Sequence, residues 1–223
     1  MQILFKEITS GDIDAVRKRL ARDPGSVALV ATPPPKKHAG QSPLMIALKT
    51  GRFGIAMLLL DHGADVNFID SDGPHPHSMP VLHDAIKAAV MRSRWLRPTR
   101  FTDDEQWALR NTVESSDAAF TVLRRVLESG ADVHALDSHG NSALHRAAMD
   151  ARQILPMHRY SAPEWVDPKP LNPELVEDLT RIFDLLLAHG ADPGRAEKQL
   201  GRSVAEHYRS EPVGRFLRAD PAL

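Results

Sequence analysis

The sequence predicts an all-α protein, a solenoid of antiparallel helix pairs with short hairpin loops. Two observations carry this prediction. The tripeptide Gly-Ala-Asp occurs three times, each time after a Leu-rich run with helical spacing, and a second glycine follows ten or eleven residues later. One such unit cannot bury its apolar face alone, so successive units are expected to stack and share a core. The tripeptides begin at Gly63, Gly130 and Gly190, and the second glycines are Gly73, Gly140 and Gly201.

Both ends of the predicted helices carry local signals. A glycine after each Leu-rich run allows the left-handed backbone that ends a helix. Gly40 precedes Gly73 by 33 residues and is followed by Ser42-Pro43-Leu44, which combines a hydroxyl for the N-cap with a proline in the first turn. The spacing therefore predicts helix starts as well as helix ends.

These motifs resemble the ankyrin repeat, whose pattern is Thr-Pro-Leu-His-x-Ala, a turn, a Leu-rich helix and Gly-Ala-Asp every 33 residues. The resemblance is cleanest over residues 38–72 and returns at residues 81–85 and 142–147. It implies a protein-binding fold, and it implies a structural role for the motif histidines His83 and His145, which tie neighbouring loops together in the family.

We expect one domain over residues 1–223 with degenerate capping repeats at its ends, since an end repeat meets water on one face. The expected units are an N-terminal cap (1–37), repeat 2 (38–72), repeat 3 (73–139, insertion about 90–116), repeat 4 (140–200, insertion about 151–172) and a C-terminal cap (201–223).

The two insertions follow from spacing. Met45 to Gly63 is 18 residues, whereas His83 to Gly130 is 47 and His145 to Gly190 is 45, so both insertions fall between the two helices of a repeat, on the same edge. In the first we predict a first helix extended to about Arg97, a break at Pro98 and a new helix from the capping box at Thr102.

The second insertion contains four prolines, which predict an irregular arm that ends where Asn172 caps the next helix. We expect a protein lacking residues 152–170 to remain folded, because loop closure depends weakly on length.

All three tryptophans lie in the insertions, where they either pack the insertions together or anchor a partner. The basic and aromatic run 92–101 similarly fits a solvated helix face, an acidic protein partner or, least well, nucleic acid. The loop 74–78 after Gly73 is five residues longer than its counterparts. The candidate partner-binding residues are Arg92, Trp95, Arg97, Arg100, Phe101, Tyr160, Trp165, His75 and His77.

Composition narrows the function. The net charge of −1 disfavours general nucleic-acid or membrane binding, and the absence of cysteine excludes thiolate metal sites and thiol nucleophiles. The His-x-His pair of the long loop lacks further ligands, so we expect no metal site there. No nucleophile elbow, phosphate loop or zinc-ligand helix occurs, and we expect neither catalysis nor a cofactor.

We therefore predict a cytoplasmic, non-catalytic interaction module, monomeric when unbound, that binds a folded protein with an acidic surface. One alternative is a bacterial immunity or inhibitor protein that occludes the site of a cognate toxin or enzyme. An alternative of another class is a regulator that binds a ligand or nucleic acid.

Overall fold

The computed structural model describes residues 3–33, 38–70, 78–99, 107–156 and 169–217, and most of these residues are helical. Two short antiparallel hairpins pair β1 (Leu96–Pro98) with β2 (Trp107–Leu109), and β3 (Ala196–Glu197) with β4 (Arg202–Ser203). The helices are α1 (Ile3–Ser10), α2 (Ile13–Arg22), α3 (Pro43–Lys49), α4 (Phe53–Asp61), α5 (Val81–Met91), α6 (Val113–Glu128), α7 (Ala143–Arg152), α8 (Pro173–Ala188), α9 (Val204–His207) and two 3-10 helices, Pro24–Ala28 and Pro212–Phe216.

Consecutive helices contact each other in pairs, α1 with α2, α3 with α4, α5 with α6 and α7 with α8. The first helices α1, α3, α5 and α7 also contact one another in chain order, and so do the second helices α2, α4, α6 and α8. Apolar side chains from both series form one cluster that extends from Leu4 to Leu217. Each pair thus buries its apolar face against its neighbours.

The local signals act as expected at the ends of the helices. The hydroxyl of Ser42 accepts a hydrogen bond from the Met45 amide at 3.3 Å, and Ser142 accepts one from His145 at 3.2 Å. Gly63, Gly130 and Gly190 have φ angles of 79°, 89° and 94°, so their left-handed backbone ends α4, α6 and α8.

The prediction for the first insertion is wrong. Helix α5 ends at Met91 and does not reach Arg97, and Pro98 lies in β1. The Asn111 amide group donates to the carbonyls of Met91 and Ser93 at 3.0 and 2.8 Å, which satisfies groups that a longer helix would have used. Residues 107–109 form β2 where a helix was expected, and the capping box at Thr102 lies outside the described residues.

The second insertion begins later than the sequence suggested, because its first residues pack into the core. Ile154 and Leu155 are each 1% exposed and belong to the core, so the expected tolerance to deletion does not extend to them. Helix α8 begins at Pro173 as predicted. The Asn172 side chain, however, makes no capping bond and instead donates to the Arg94 carbonyl at 2.8 Å.

Replacing Leu59, Leu123 or Leu186 by alanine should lower the free energy of unfolding by about 2–5 kcal/mol, because each side chain is fully buried in a Leu-rich helix. Chemical denaturation measures this change. The control is Leu136→Ala, at a leucine that is 46% exposed, which should cost less than about 0.5 kcal/mol. Equal costs for buried and exposed leucines would contradict the packing described above.

Candidate protein-interaction surface

Three of the nine candidate residues lie within the described ranges: at the end of α5, in the segment that follows it and in β1. Arg92 and Arg97 are exposed, whereas Trp95 is half-buried and packs against the apolar core. The other six lie outside the described residues: His75, His77, Arg100, Phe101, Tyr160 and Trp165.

The start of the first insertion is fastened to α8, the helix that follows the second insertion, by an ion pair that no sequence motif indicated. Asp178 on α8 is fully buried and accepts hydrogen bonds from the Arg94 amide at 2.8 Å and from the Arg94 guanidinium at 2.8 and 3.0 Å. Glu177 accepts a further bond from Arg94 at 2.7 Å. The Asn172 side chain also donates to the Arg94 carbonyl, so Arg94, at the start of the first insertion, lies beside Asn172, at the end of the second. We call these two positions the insertion roots.

The same carboxylate connects to α6 through Arg181. The Arg181 guanidinium lies 3.1 Å from Asp178, and it donates to Ser116 at 2.6 Å and to Asp117 at 2.5 Å. Burial alone would raise the pKa of Asp178, but the hydrogen bonds from Arg94 outweigh it and hold this pKa below its ordinary value. The carboxylate therefore stays charged and joins three elements.

The charges exposed near these roots have no such compensation. Arg92, Arg97 and Arg110 are exposed, and within the described ranges none of them has a carboxylate within ion-pair distance. This contrasts with Arg94 in the same run, whose charge is matched by Glu177 and Asp178. The structure thus separates one structural arginine from three that face solvent.

Trp95 supports internal packing for one of the three tryptophans. Its ring packs against the core, and its indole nitrogen is buried without a hydrogen-bond partner among the described residues. Trp107 is also partly buried, in β2. For Trp95 the packing interpretation therefore has direct support, whereas Trp165 lies outside the described residues.

The face formed by the first helices carries a buried charge of its own. Asp84 on α5 is almost completely buried, and the Lys49 ammonium lies 3.3 Å from it and 3.7 Å from Asp70. Burial raises the pKa of Asp84 to about 6, although the positive charge of Lys49 acts in the opposite direction.

The two motif histidines are buried, and only one of them forms the expected tie. His145 lies 2.7 Å from the Glu197 carboxylate of β3, so it connects α7 to the next loop. His83 makes no hydrogen bond of ordinary geometry among the described residues; burial lowers its pKa to about 4, although the Ala135 backbone acts in the opposite direction. The loops beside it are joined instead by Asn67, which accepts from the Asp132 amide at 2.8 Å and donates to the Gly130 carbonyl at 3.0 Å.

Among the described residues, no group of three or more His, Asp or Glu side chains is arranged to hold a metal ion. None of the helices in these ranges is long and apolar enough to cross a membrane.

Comparison with known families identifies one segment. The ankyrin repeat model matches residues 39–71, which cover α3 and α4 and the turn between them. No curated protein matches the chain at a significant level.

Asp178→Ala should lower the free energy of unfolding by about 3 kcal/mol, because it leaves Arg94 and Arg181 without their buried carboxylate. Asp14→Ala, which breaks an exposed ion pair with Arg17, is the control and should cost less than about 0.5 kcal/mol. Denaturant titration at neutral pH measures both. If the two variants were equally stable, the contacts between the insertion roots would make no measurable contribution to the free energy of unfolding.

Asp84→Asn should change how stability depends on pH. Since the pKa of Asp84 rises from 3.8 to about 6 on folding, the folded protein holds this proton in that window. Wild-type stability should therefore fall by about 3 kcal/mol relative to Asp84→Asn as the pH rises from about 3 to about 7. Unfolding curves at several pH values test this, with the exposed Asp184→Asn as control. A pH-independent difference would contradict it.

Proposed function

We propose that this ankyrin-repeat chain folds as a solenoid of five repeats and binds a folded protein through the edge from which its two insertions project. Ankyrin repeats are protein-interaction modules, and residues 39–71 match one. We take the repeats and caps to lie at 1–37, 38–72, 73–139, 140–200 and 201–223, in accord with the observed series of helix pairs.

The proposal depends on the contacts of Arg94 with Asp178 and Asn172, which hold the two insertion roots together. A buried ion pair contributes little net stability compared with apolar packing of the same volume. Its value here lies in position, because the amide and guanidinium of Arg94 both bind one carboxylate and so fix the orientation of the chain that leaves α5. The described ends of the two insertions, held together in this way, give both of them a common base.

The charge of that surface favours an acidic protein partner. Arg92 and Arg97 are exposed and have no carboxylate partner among the described residues. Nucleic acid fits less well, since the whole chain has a net charge of −1 and phosphate binding needs a broader excess of basic residues. Of the six candidates outside the described residues, Arg100, Phe101, Tyr160 and Trp165 lie in the insertions and His75 and His77 lie in the long loop, so we keep them as candidate contacts.

Occlusion of an enzyme or toxin is the specific role that this geometry suits. A stoichiometric inhibitor needs a surface that is already ordered before it binds, because ordering costs subtract from affinity. The bonds from Asn172 and Asp178 to Arg94 supply such order at the roots. Inhibition of a captured partner's activity at one-to-one stoichiometry would distinguish this role from that of an adaptor.

Replacing Arg97 and Arg100 by glutamate should weaken binding at least tenfold, about 1.4 kcal/mol, because two favourable charges become repulsive toward an acidic surface. The partner is first identified by affinity capture from the source cells and mass spectrometry. Its purified form is then titrated by calorimetry against the wild-type and variant chains.

The matched control is Lys18→Glu with Arg22→Glu, which changes the charge by the same amount on exposed positions of α2. All variants should keep the wild-type melting temperature. If Arg97→Glu with Arg100→Glu binds normally while changes in residues 74–78 or in the exposed face of α5 abolish binding, the site lies on the face of the first helices and not on the insertions.

A further inference from the structure

Two depressions meet at the end of α5. One lies on the side of the first helices and is lined by Lys49, Phe53, Met79 and Lys87; the other lies beside the first insertion and is lined by Trp95, Arg110, Thr112 and Ser115. Met91 and Arg92 line both, and each depression has a volume of about 520 Å³. We call the two together the α5-end groove.

Arg92 stands where the two depressions join, and uncharged groups fix its position. Its guanidinium lies 5.8 Å from the centre of the Phe53 ring and donates to the Ser115 hydroxyl at 3.4 Å. It also lies over Gly51, whose φ of 68° and missing side chain leave that space open, since a Cβ there would be 2.7 Å from the guanidinium. The arginine is thus held in place with its charge uncompensated.

Further positive charge lies on both sides of Arg92. Lys87 and Arg110 are exposed, and neither has a carboxylate within 4.0 Å among the described residues. The acidic residue of the groove, Asp84, is already paired with Lys49. Within the part of the chain that the structure describes, the groove therefore presents three cations without a carboxylate partner, which favour an occupant that carries carboxylates.

The apolar lining defines the rest of the occupant. Phe53, Met79, Met91 and Trp95 are each half-buried, so they present part of their surface to the groove between the cations. Methionine adapts its shape to different side chains, and arginine and tryptophan are the residues that most often dominate binding energy. The Thr112 and Ser115 hydroxyls also line the groove, at the start of the 16-residue α6, where the Glu114 carboxylate of the first turn already balances the partial positive charge of the helix.

We propose that the α5-end groove binds an extended acidic segment of the protein partner, with carboxylates on Arg92 and Arg110 and an apolar side chain between them against Met91 and Trp95. The inference rests on the proposed function, since it assumes that the chain binds a protein. It adds a second site to the insertion edge and names the chemistry of its ligand.

Selection of random peptides displayed on phage tests this inference directly on the full-length chain. The wild-type chain should enrich peptides in which at least two Asp or Glu residues flank an aromatic residue or leucine. The enriched peptide is then synthesised, labelled and titrated by fluorescence anisotropy. Its affinity should fall at least tenfold for Arg92→Glu with Arg110→Glu, and should not change for the equally charged control, Lys18→Glu with Arg22→Glu.

The inference would be overturned if no acidic peptides were enriched, or if the peptide bound equally to the groove variant (Arg92→Glu with Arg110→Glu) and to the control variant. Binding of a single-stranded oligothymidylate with the same dependence on Arg92 and Arg110 would also overturn it, since it would assign the groove to nucleic acid. Loss of self-association in the groove variant, measured by sedimentation, would assign it to a second copy of the chain.

The chain's own acidic run is another possible occupant. If Asp103→Asn, Asp104→Asn and Glu105→Gln together raised the peptide affinity tenfold or more, that run would be the natural ligand and the inference would fail.

The proposed function has a separate test. A captured partner that depends on Arg97 and Arg100 but not on Arg92 and Arg110 would leave that function standing and remove only the groove.

Discussion

Burial of one continuous apolar core between two series of helices is the constraint on which the rest of the structure depends. No helix pair has a complete core of its own, because its apolar face is covered by the pairs before and after it. The requirement applies to the helices and not to the connections between them. Connections can therefore lengthen where they leave the edge of the array, provided that α5 and α6, or α7 and α8, still meet.

Long-range contacts at this edge fix the connections to the helices, as a connection that binds a partner requires. Arg94 and Asp178 are 84 positions apart in the sequence, yet the guanidinium and the amide of Arg94 both bind that carboxylate. Arg181 extends the network to Ser116 and Asp117 on α6. Because these groups are bonded to one another, the exposed arginines beside them are displayed from a fixed base.

Local signals predicted the helices well and the insertions poorly, for one physical reason. Ser42, Ser142 and the glycines act on backbone groups within a few residues, so their effect is legible in the sequence. The carbonyls left at the end of α5 are satisfied by Asn111, about twenty positions away, which donates to those of Met91 and Ser93. Likewise, the structural role of Arg94 depends on Asp178, and no periodicity links the two. The burial of Ile154 and Leu155 also depends on tertiary packing alone.

The hairpin that replaces the expected helix extension has one further property. Among the described residues β1 pairs with β2 alone, so its other edge has no strand partner there. Open edges can recruit strands from other molecules, but β1 is three residues long, contains Pro98, which has no amide hydrogen to donate, and carries the charge of Arg97. An edge of this composition is a poor template for strand addition. The β1–β2 hairpin can therefore extend from the helices without promoting aggregation.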